Sequence, residues 1–461
     1  MQTWQPDIRG ADGPKYLAIA DAIARDIEYG SLRPGDRLPP QRALAEALAI
    51  DLTTVTRAYG EAQRLGLIEG SGRRGSFVLP SRVAKPNPSY SDPGDIGMNA
   101  PPEGFGATLG SEFRKTVDTL LTPGAGAFSL QYQPAGGIPE VRREGADLLA
   151  KRGIPCHEDT VLVAAGGQHA LHAIFSTELS AGDVLAVGQF AYPGLLSLAR
   201  RFGIELRAIS SDSEGMRPDA LDTVCGMATV RGIYLVPAND NPTTSTMSGA
   251  RREAIAEVAR RRGLLVIEDD AYGLLPASPL PPLAAFAPER TWHIASVSKI
   301  LSPGLRVAWL RAPDVATAWR LAADMHETAI MAPPLNTAVV ADWVRSGTFD
   351  RLVGEVREEA KTRQAIARDC LREGTFHSQA EGFHLWVPLG TEANPARIAD
   401  AVRPHGLSVI SGDAFAVDPM NAPPALRISI GGALSHDRLK RGLSLLEALI
   451  DPEASGKVSL V

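Results

Sequence analysis

From about residue 107 onward, the chain alternates short, uninterrupted apolar runs with stretches of helical spacing, and few architectures accommodate that alternation. The runs are Val161–Ala164, Val184–Val187, Gly232–Val236, Leu264–Ile267 and Thr291–Ile294. A strand apolar at every position is buried on both faces, and helices between such strands imply a mostly parallel α/β sheet. After about residue 312 the pattern turns helical and then α+β, with Gly382–Val387 and Leu426–Ile430 as strands. This predicts a body over 107–450, with a large part to about 312, a smaller C-terminal α+β subdomain over 313–450, and a tail at 451–461.

The first 79 residues follow another rule. Tyr16–Tyr29 carries Leu17, Ala20, Ile23, Ala24 and Ile27 at helical spacing. A Pro34-Gly35 break follows, then a short helix over Gln41–Ala49. A third helix is expected to begin with Thr53 as its cap and to bury Val55, Tyr59, Ala62 and Leu65. Leu67–Glu69 and Ser76–Leu79 read as strands flanking the basic glycine-rich tip Gly70-Ser-Gly-Arg-Arg-Gly75. Two helices joined by a tight turn and followed by a hairpin form a winged helix-turn-helix, mainly α with a β-hairpin wing. Such a unit presents the start of its third helix to the major groove of double-stranded DNA and its wing to phosphates or the minor groove. Thr53, Thr54, Thr56 and Arg57 lie at that helix start, Arg42 at the start of the second helix, and Arg73 and Arg74 at the wing tip. Between head and body, residues 80–106 carry Pro80, Pro86, Pro88, Pro93, Pro101 and Pro102 and read as a linker without a core.

The net charge of −6 does not oppose a DNA partner once it is located. Residues 1–79 hold ten Lys/Arg and ten Asp/Glu, so the head is neutral and the deficit belongs to the rest. No apolar run approaches the ~18–20 residues of a membrane span, and the start lacks a secretory pattern. Cys156, Cys225 and Cys370 lie far apart, which argues against a zinc cluster or a disulfide scaffold. A reduced, cytoplasmic protein with no metal is expected.

In the body, chemistry centres on Ser296-Val-Ser-Lys-Ile-Leu-Ser-Pro-Gly-Leu-Arg306. A lysine on a loop after a strand, followed by Pro-Gly and an arginine, suits a Schiff-base amine beside a phosphate anchor. Asp269, after the strand Leu264–Ile267, can pair with a protonated pyridine nitrogen. In other company, an Asp-Asp pair at a strand end suggests a metal or a solvated turn. Ala164-Ala-Gly-Gly-Gln-His169 is a strand–glycine–helix junction whose backbone N–H groups can bind phosphate. Tyr192 can stack on a pyridine ring, Asn241 can donate to a ring hydroxyl, and Arg427 can grip a carboxylate with its fork.

The stretches Pro34–Ala45, Thr54–Tyr59 and Leu65–Glu69 closely resemble the GntR family of bacterial repressor domains, although Asp51-Leu52 stands where many relatives carry Ser-Arg. From about 107 to 450 the motifs resemble fold-type I, pyridoxal 5'-phosphate-dependent aminotransferases. That resemblance implies that Lys299 carries the aldimine, Asp269 meets the ring nitrogen, and Asn241 and Tyr272 meet the ring oxygen. It also implies that Tyr192 stacks on the ring, that Gly167, Gln168, Ser296 and Arg306 hold the phosphate, and that Arg427 receives a carboxylate. Tyr132 resembles the tyrosine that reaches the phosphate from a partner subunit. The usual Asn-Pro-Thr-Gly has Thr244 in place of glycine. Head, linker and body together resemble the MocR subfamily of GntR regulators. The resemblance implies a homodimer, head-to-tail in relatives, in which an amino compound forms an external aldimine at Lys299 and changes operator binding. An active aminotransferase carrying a DNA-binding head is the alternative.

Overall fold

Apolar cores form separately in the two compact units Met1–Ile96 and Gly97–Val461, as one cluster in the first and two in the second. The structure is a computed structural model and describes residues 4–6, 14–28, 32, 35–70, 75–79, 97–102, 106–122, 128 and 130–450.

In the first unit, α1 (Lys15–Glu28), α2 (Gln41–Ala47) and α3 (Leu52–Arg64) precede a hairpin of β1 (Ile68–Gly70) and β2 (Ser76–Val78), in which Ile68 pairs with Val78. Ile19, Ile23, Leu44, Val55, Ala58, Tyr59 and Ala62 close the core, and the Tyr59 hydroxyl donates to the Pro39 carbonyl at 2.7 Å. Thr53 is not the cap of α3. Asp51 takes that position, and its Oδ1 accepts from the Thr53 N–H at 2.7 Å. A carboxylate there also complements the positive end of the helix. The wing-tip residues Arg73 and Arg74 lie outside the described residues, as do linker residues 80–96 and the tail 451–461.

The second unit is built on a seven-stranded sheet. Its strands are β3 (Val161–Ala164), β4 (Val184–Gly188), β5 (Glu205–Ile209), β8 (Gly232–Leu235), β9 (Leu265–Asp269), β10 (Thr291–Ser296) and β11 (Ala308–Arg311), with a small hairpin of β6 (Ser211–Asp212) and β7 (Gly215–Met216) beside them. The spatial order is β3-β11-β10-β9-β8-β4-β5, and only β11 runs antiparallel to its neighbours. Among the connecting helices, α4 (Gly106–Leu121) leads into the unit and α5 (Gly167–Glu178) follows β3. A second, antiparallel sheet in the order β12-β13-β15-β14 comprises β12 (His377–Ser378), β13 (His384–Pro388), β14 (Ser408–Ser411) and β15 (Ala425–Ser429). No described helix is long and apolar enough to cross a membrane.

Two strands lie outside the expected set, and only the first of them lacks an apolar run. Edge strand β5 is mostly exposed, and β11 follows the lysine loop so closely that it reads as its continuation. The coreless reading of 80–106 also changes at its C-terminal end. Residues Gly97–Pro102 belong to the second unit, and Asn99 is only 2 % exposed. The Gly432 N–H lies within hydrogen-bond distance of both the Ala100 and Pro101 carbonyls, and Pro102 bridges Gly432. A Cβ on Gly431 would come within 1.9 Å of the Ala100 oxygen, so the close approach of the two backbones requires glycine.

Candidate cofactor-binding site

The C-terminal ends of β8, β9 and β10 bring the candidate side chains together, as expected for ligand sites in open α/β sheets. Asp269 ends β9 and is nearly buried. Tyr234 in β8 donates its hydroxyl to Asp269 Oδ2 at 2.9 Å. Burial pushes the Asp269 carboxyl up to about 6, opposed by that hydrogen bond and by the charge of Lys299. The next residue has the opposite environment. Asp270 is ion-paired with Arg152, with neither side chain more than 4 % exposed. Burial raises it, but Arg152, His293 and Arg252 outweigh that effect and hold it below the ordinary carboxylate range. The two adjacent carboxyls are therefore separable: one is poised to meet a cation, the other is already neutralised.

Lys299 ends a single 3-10 turn, Val297–Lys299, immediately after β10. Burial brings its amine down to about 8; the Arg427 cation adds to the effect and Asp269 opposes it. Such an amine has a larger neutral, nucleophilic fraction at physiological pH than an ordinary lysine. Its Nζ donates to the main-chain oxygen of Asn99.

Asn99 escaped the motif reading because it sits in the proline-bearing stretch. Its Nδ2 donates to the Tyr272 hydroxyl at 2.9 Å and contacts His384 Nδ1 at 3.2 Å, while its Oδ1 accepts from Ser429 Oγ at 2.7 Å. His384 Nε2 lies 3.0 Å from the Asp240 carbonyl, which can only accept, so Nε2 carries the proton and Nδ1 accepts from Asn99. Burial also drives His384 down to about 3, so the ring is neutral. Burial pushes the Tyr272 phenol well up, against the pull of the Asn99 hydrogen bond. Because Tyr272 accepts from Asn99, its own O–H remains available as a donor.

Arg427 in β15 is 1 % exposed, lies 5.5 Å over the Phe415 ring and donates to the Gly97 carbonyl. At the other end, Gly166 precedes α5 as its N-cap with φ +88, where a Cβ would fall 2.6 Å from the Arg306 guanidinium. Gly167 lies against Ser296, with its ideal Cβ 3.6 Å from that side chain. Arg306 itself donates to the Ala165 carbonyl at 2.8 Å. Gln168 donates to the Gly194 carbonyl at 3.2 Å, next to Tyr192, whose phenol is raised by burial. Gln168 Oε1 and Asn241 Oδ1 are buried without a protein partner. Thr244, which stands where the usual motif carries glycine, has φ +64 and so holds a left-handed conformation.

These features suit a phosphorylated pyridine aldehyde. The glycine-started helix and Arg306 could hold the phosphate, Asp269 the ring nitrogen, Asn241 and Tyr272 the ring oxygen, and Lys299 the carbonyl carbon. Tyr132 stands apart from this group and is 80 % exposed, beside a cavity of about 350 Å³ lined in part by Leu120, Phe128 and Ile138. In the head, Arg42, Thr53 and Thr56 are exposed and Thr54 is half-buried. Thr56 Oγ1 is 2.9 Å from both the Leu52 carbonyl and Gln41 Oε1. Arg57 is exposed and its guanidinium lies 4.6 Å over the Tyr16 ring, which orients it.

Comparison with known proteins agrees with both units. Residues 112–446 match the family "Aminotransferase class I and II", and residues 15–78 match "Bacterial regulatory proteins, gntR family". The chain is 29 % identical over 458 residues to the uncharacterized HTH-type transcriptional regulator YdeF of Bacillus subtilis, covering 97 % of each chain. It is 29 % identical over 430 residues to the vitamin B6 salvage pathway transcriptional repressor PtsJ of Salmonella typhimurium, covering 91 % of this chain and 95 % of that one. The crystal structure of the multiple substrate aminotransferase from Thermococcus profundus superimposes with a TM-score of 0.70 at 22 % identity, covering 82 % of this chain and 96 % of that one. The chain thus belongs to the aminotransferase class I and II family and, with its gntR-family N-terminal domain, has the domain composition of the MocR subfamily of transcriptional regulators.

Proposed function

We propose that the protein is a pyridoxal phosphate-dependent transcriptional regulator that binds double-stranded operator DNA through its head and senses a small amino compound in its body. The observation that carries this reading is the convergence of Lys299 after β10, Asp269 at the end of β9 held by Tyr234, and the Gly166–Arg306 cradle, in a chain that also carries a gntR-family domain. The cofactor, when bound, supplies an electron-poor carbonyl carbon that an effector amine can take from Lys299.

The chain's own residues then have distinct tasks. Asp269 holds a proton between itself and the ring nitrogen, and Tyr234 fixes the carboxyl. Tyr272 donates its free O–H, oriented by Asn99, while Asn241 approaches the same oxygen. Gly167, Gln168, Ser296 and Arg306 anchor the phosphate, and Tyr192 covers the ring. Arg427 receives an effector carboxylate. The exposed position of Tyr132 suits a role across a twofold, in which Tyr132 of the partner subunit completes the phosphate site. A homodimer presents two heads, and hence two DNA half-sites as direct or inverted repeats. Arg42, Thr53, Thr54, Thr56, Arg57, Arg73 and Arg74 are the head's DNA contacts. An effector that prefers one arrangement of the body shifts the population and so the DNA affinity.

The test combines absorbance and DNA binding. The purified protein is expected to show a visible cofactor band that amines alter, with a matching change in affinity for a duplex selected from a random pool. Sustained turnover of an amino acid with a 2-oxo acid at ordinary enzymatic rates, without any change in DNA affinity, would instead establish the aminotransferase alternative.

A further inference from the structure

The segment Gly97–Pro102 is the point at which the linker to the head enters the body, and four sets of contacts meet on it, one of them the Lys299 amine on the Asn99 carbonyl. The Gly97 carbonyl accepts from Arg427. The Asn99 side chain joins Tyr272, at the end of the large sheet, to His384 and Ser429 on strands β13 and β15 of the small one. The Ala100 and Pro101 carbonyls face the Gly432 N–H just after β15. The chain that leads to the DNA-binding head is therefore attached to both sheets at the residues expected to meet an effector.

We propose that Asn99 is a positioning residue that couples the occupant of the site to the linker, and that an effector carboxylate acts by taking Arg427 away from the Gly97 carbonyl. This inference rests on the regulator reading above. The competition is direct: a carboxylate forms a charge-assisted fork with a guanidinium, whereas a neutral main-chain carbonyl offers a weaker acceptor. When Arg427 turns to the carboxylate, the Gly97 carbonyl gives up that donor, while the Asn99 and Gly432 contacts remain. Asn99 keeps it in register with Tyr272, so a change at the site moves the start of the linker as a unit. Ser429 and His384 fix the amide orientation of Asn99: one can donate to its oxygen, and the other, in its neutral tautomer, can only accept from its nitrogen. The useful effector is accordingly an amine that also carries a carboxylate or an equivalent anion within reach of Arg427.

Two carbonyl reagents separate the parts of this inference. Aminooxyacetate and O-methylhydroxylamine both take the cofactor's carbonyl carbon from Lys299, and only aminooxyacetate brings a carboxylate. With full-length holoprotein and a duplex selected from a random pool, both reagents should remove the visible band. Aminooxyacetate should change the DNA dissociation constant by about fivefold or more, and O-methylhydroxylamine by less than about twofold. In Asn99→Ala, aminooxyacetate should still remove the band while the change in DNA affinity falls below about twofold. A residue that merely supported the fold would lose both responses together. A full DNA response to O-methylhydroxylamine, or an undiminished response in Asn99→Ala, overturns the proposal. If Asn99→Ala does not retain cofactor, Ser429→Ala removes one anchor of the same amide and should reduce the response; an unchanged response there overturns the proposal equally. Absence of a band in the wild type, or of a DNA response to either reagent, defeats the regulator reading itself, and the coupling with it.

Discussion

Head and body use cations in opposite ways. Among the described residues of the head, Arg42 and Arg57 are exposed, and Arg57 rests on an aromatic face without an ion-pair partner among its described contacts. In the body, Arg152, Arg252 and Arg427 are buried and committed to carboxylates or main-chain carbonyls. An exposed cation interacts with a polyanion over a long range, is screened by salt and discriminates little. A buried cation acts in a low dielectric, where removing a partner is costly and only a well-shaped anion can compete. The contrast suits a reader that must find DNA quickly and a sensor that must choose among small molecules.

The largest break in this comparison comes from Arg152→Ala. It takes from the buried Asp270 carboxylate its hydrogen-bonded cation, leaving His293 Nε2 at 3.6 Å and the charge of Arg252, and should cost about 3 kcal/mol. Calorimetry should show the loss in the melting of the body. The pair's contribution is present above the ordinary aspartate pKa near 4 and declines as pH falls below it, because Asp270 is held low in the folded protein. The next effect is Arg427→Ala. It should abolish the DNA response to a carboxylate-bearing amine, a coupling of about 1–3 kcal/mol, while ligand-free DNA binding persists. Titrating DNA with and without aminooxyacetate measures it.

On the head, Arg73→Ala with Arg74→Ala should weaken DNA binding and lower the slope of log affinity against log salt by about 0.9 for each phosphate no longer neutralised. An unchanged slope would show that the wing is not used. Arg42→Ala should act in the same direction, by about one phosphate. The smallest effect belongs to Thr244→Gly. The substitution relieves a left-handed threonine, worth about 1–2 kcal/mol, against the loss of a buried methyl and hydroxyl, so a net gain of about 1 kcal/mol or less should appear in thermal melting. Chemistry at Lys299 provides a pH test: with the amine near 8, capture of pyridoxal phosphate by apoprotein should accelerate through that pH rather than near 10.5.

Much of this molecule is legible in its sequence, for physical reasons. Strands buried on both faces must be apolar throughout, so β3, β4, β8, β9 and β10 stand out, and Lys299 and Asp269 lie at the ends of two of them. Edge strand β5 is exposed and follows no such rule. Asn99 is hidden for a different reason. Its neighbours hold it partly through main-chain carbonyls at Gly97, Asn99, Ala100 and Pro101, and a carbonyl leaves no mark on residue type. Tyr234 reads only as a strand residue, because the continuous apolar run that buries it says nothing about where its hydroxyl points. The cap of α3 falls two residues before the expected Thr53 because Asp51 and Thr53 are both good cap residues, and the backbone geometry chooses the carboxylate.

If an amine at Lys299 sets the affinity of the head for DNA, removing that lysine must uncouple the two. The decisive measurement is a titration of one selected duplex with pyridoxal phosphate-loaded wild-type protein and with Lys299→Ala freed of pyridoxal phosphate, in the presence and absence of aminooxyacetate. A reagent-dependent shift of about fivefold or more is expected in the wild type and none in Lys299→Ala, with both proteins still binding DNA. Equal shifts in the two proteins, or none in a wild type whose visible band has been consumed, would contradict a regulator switched at Lys299.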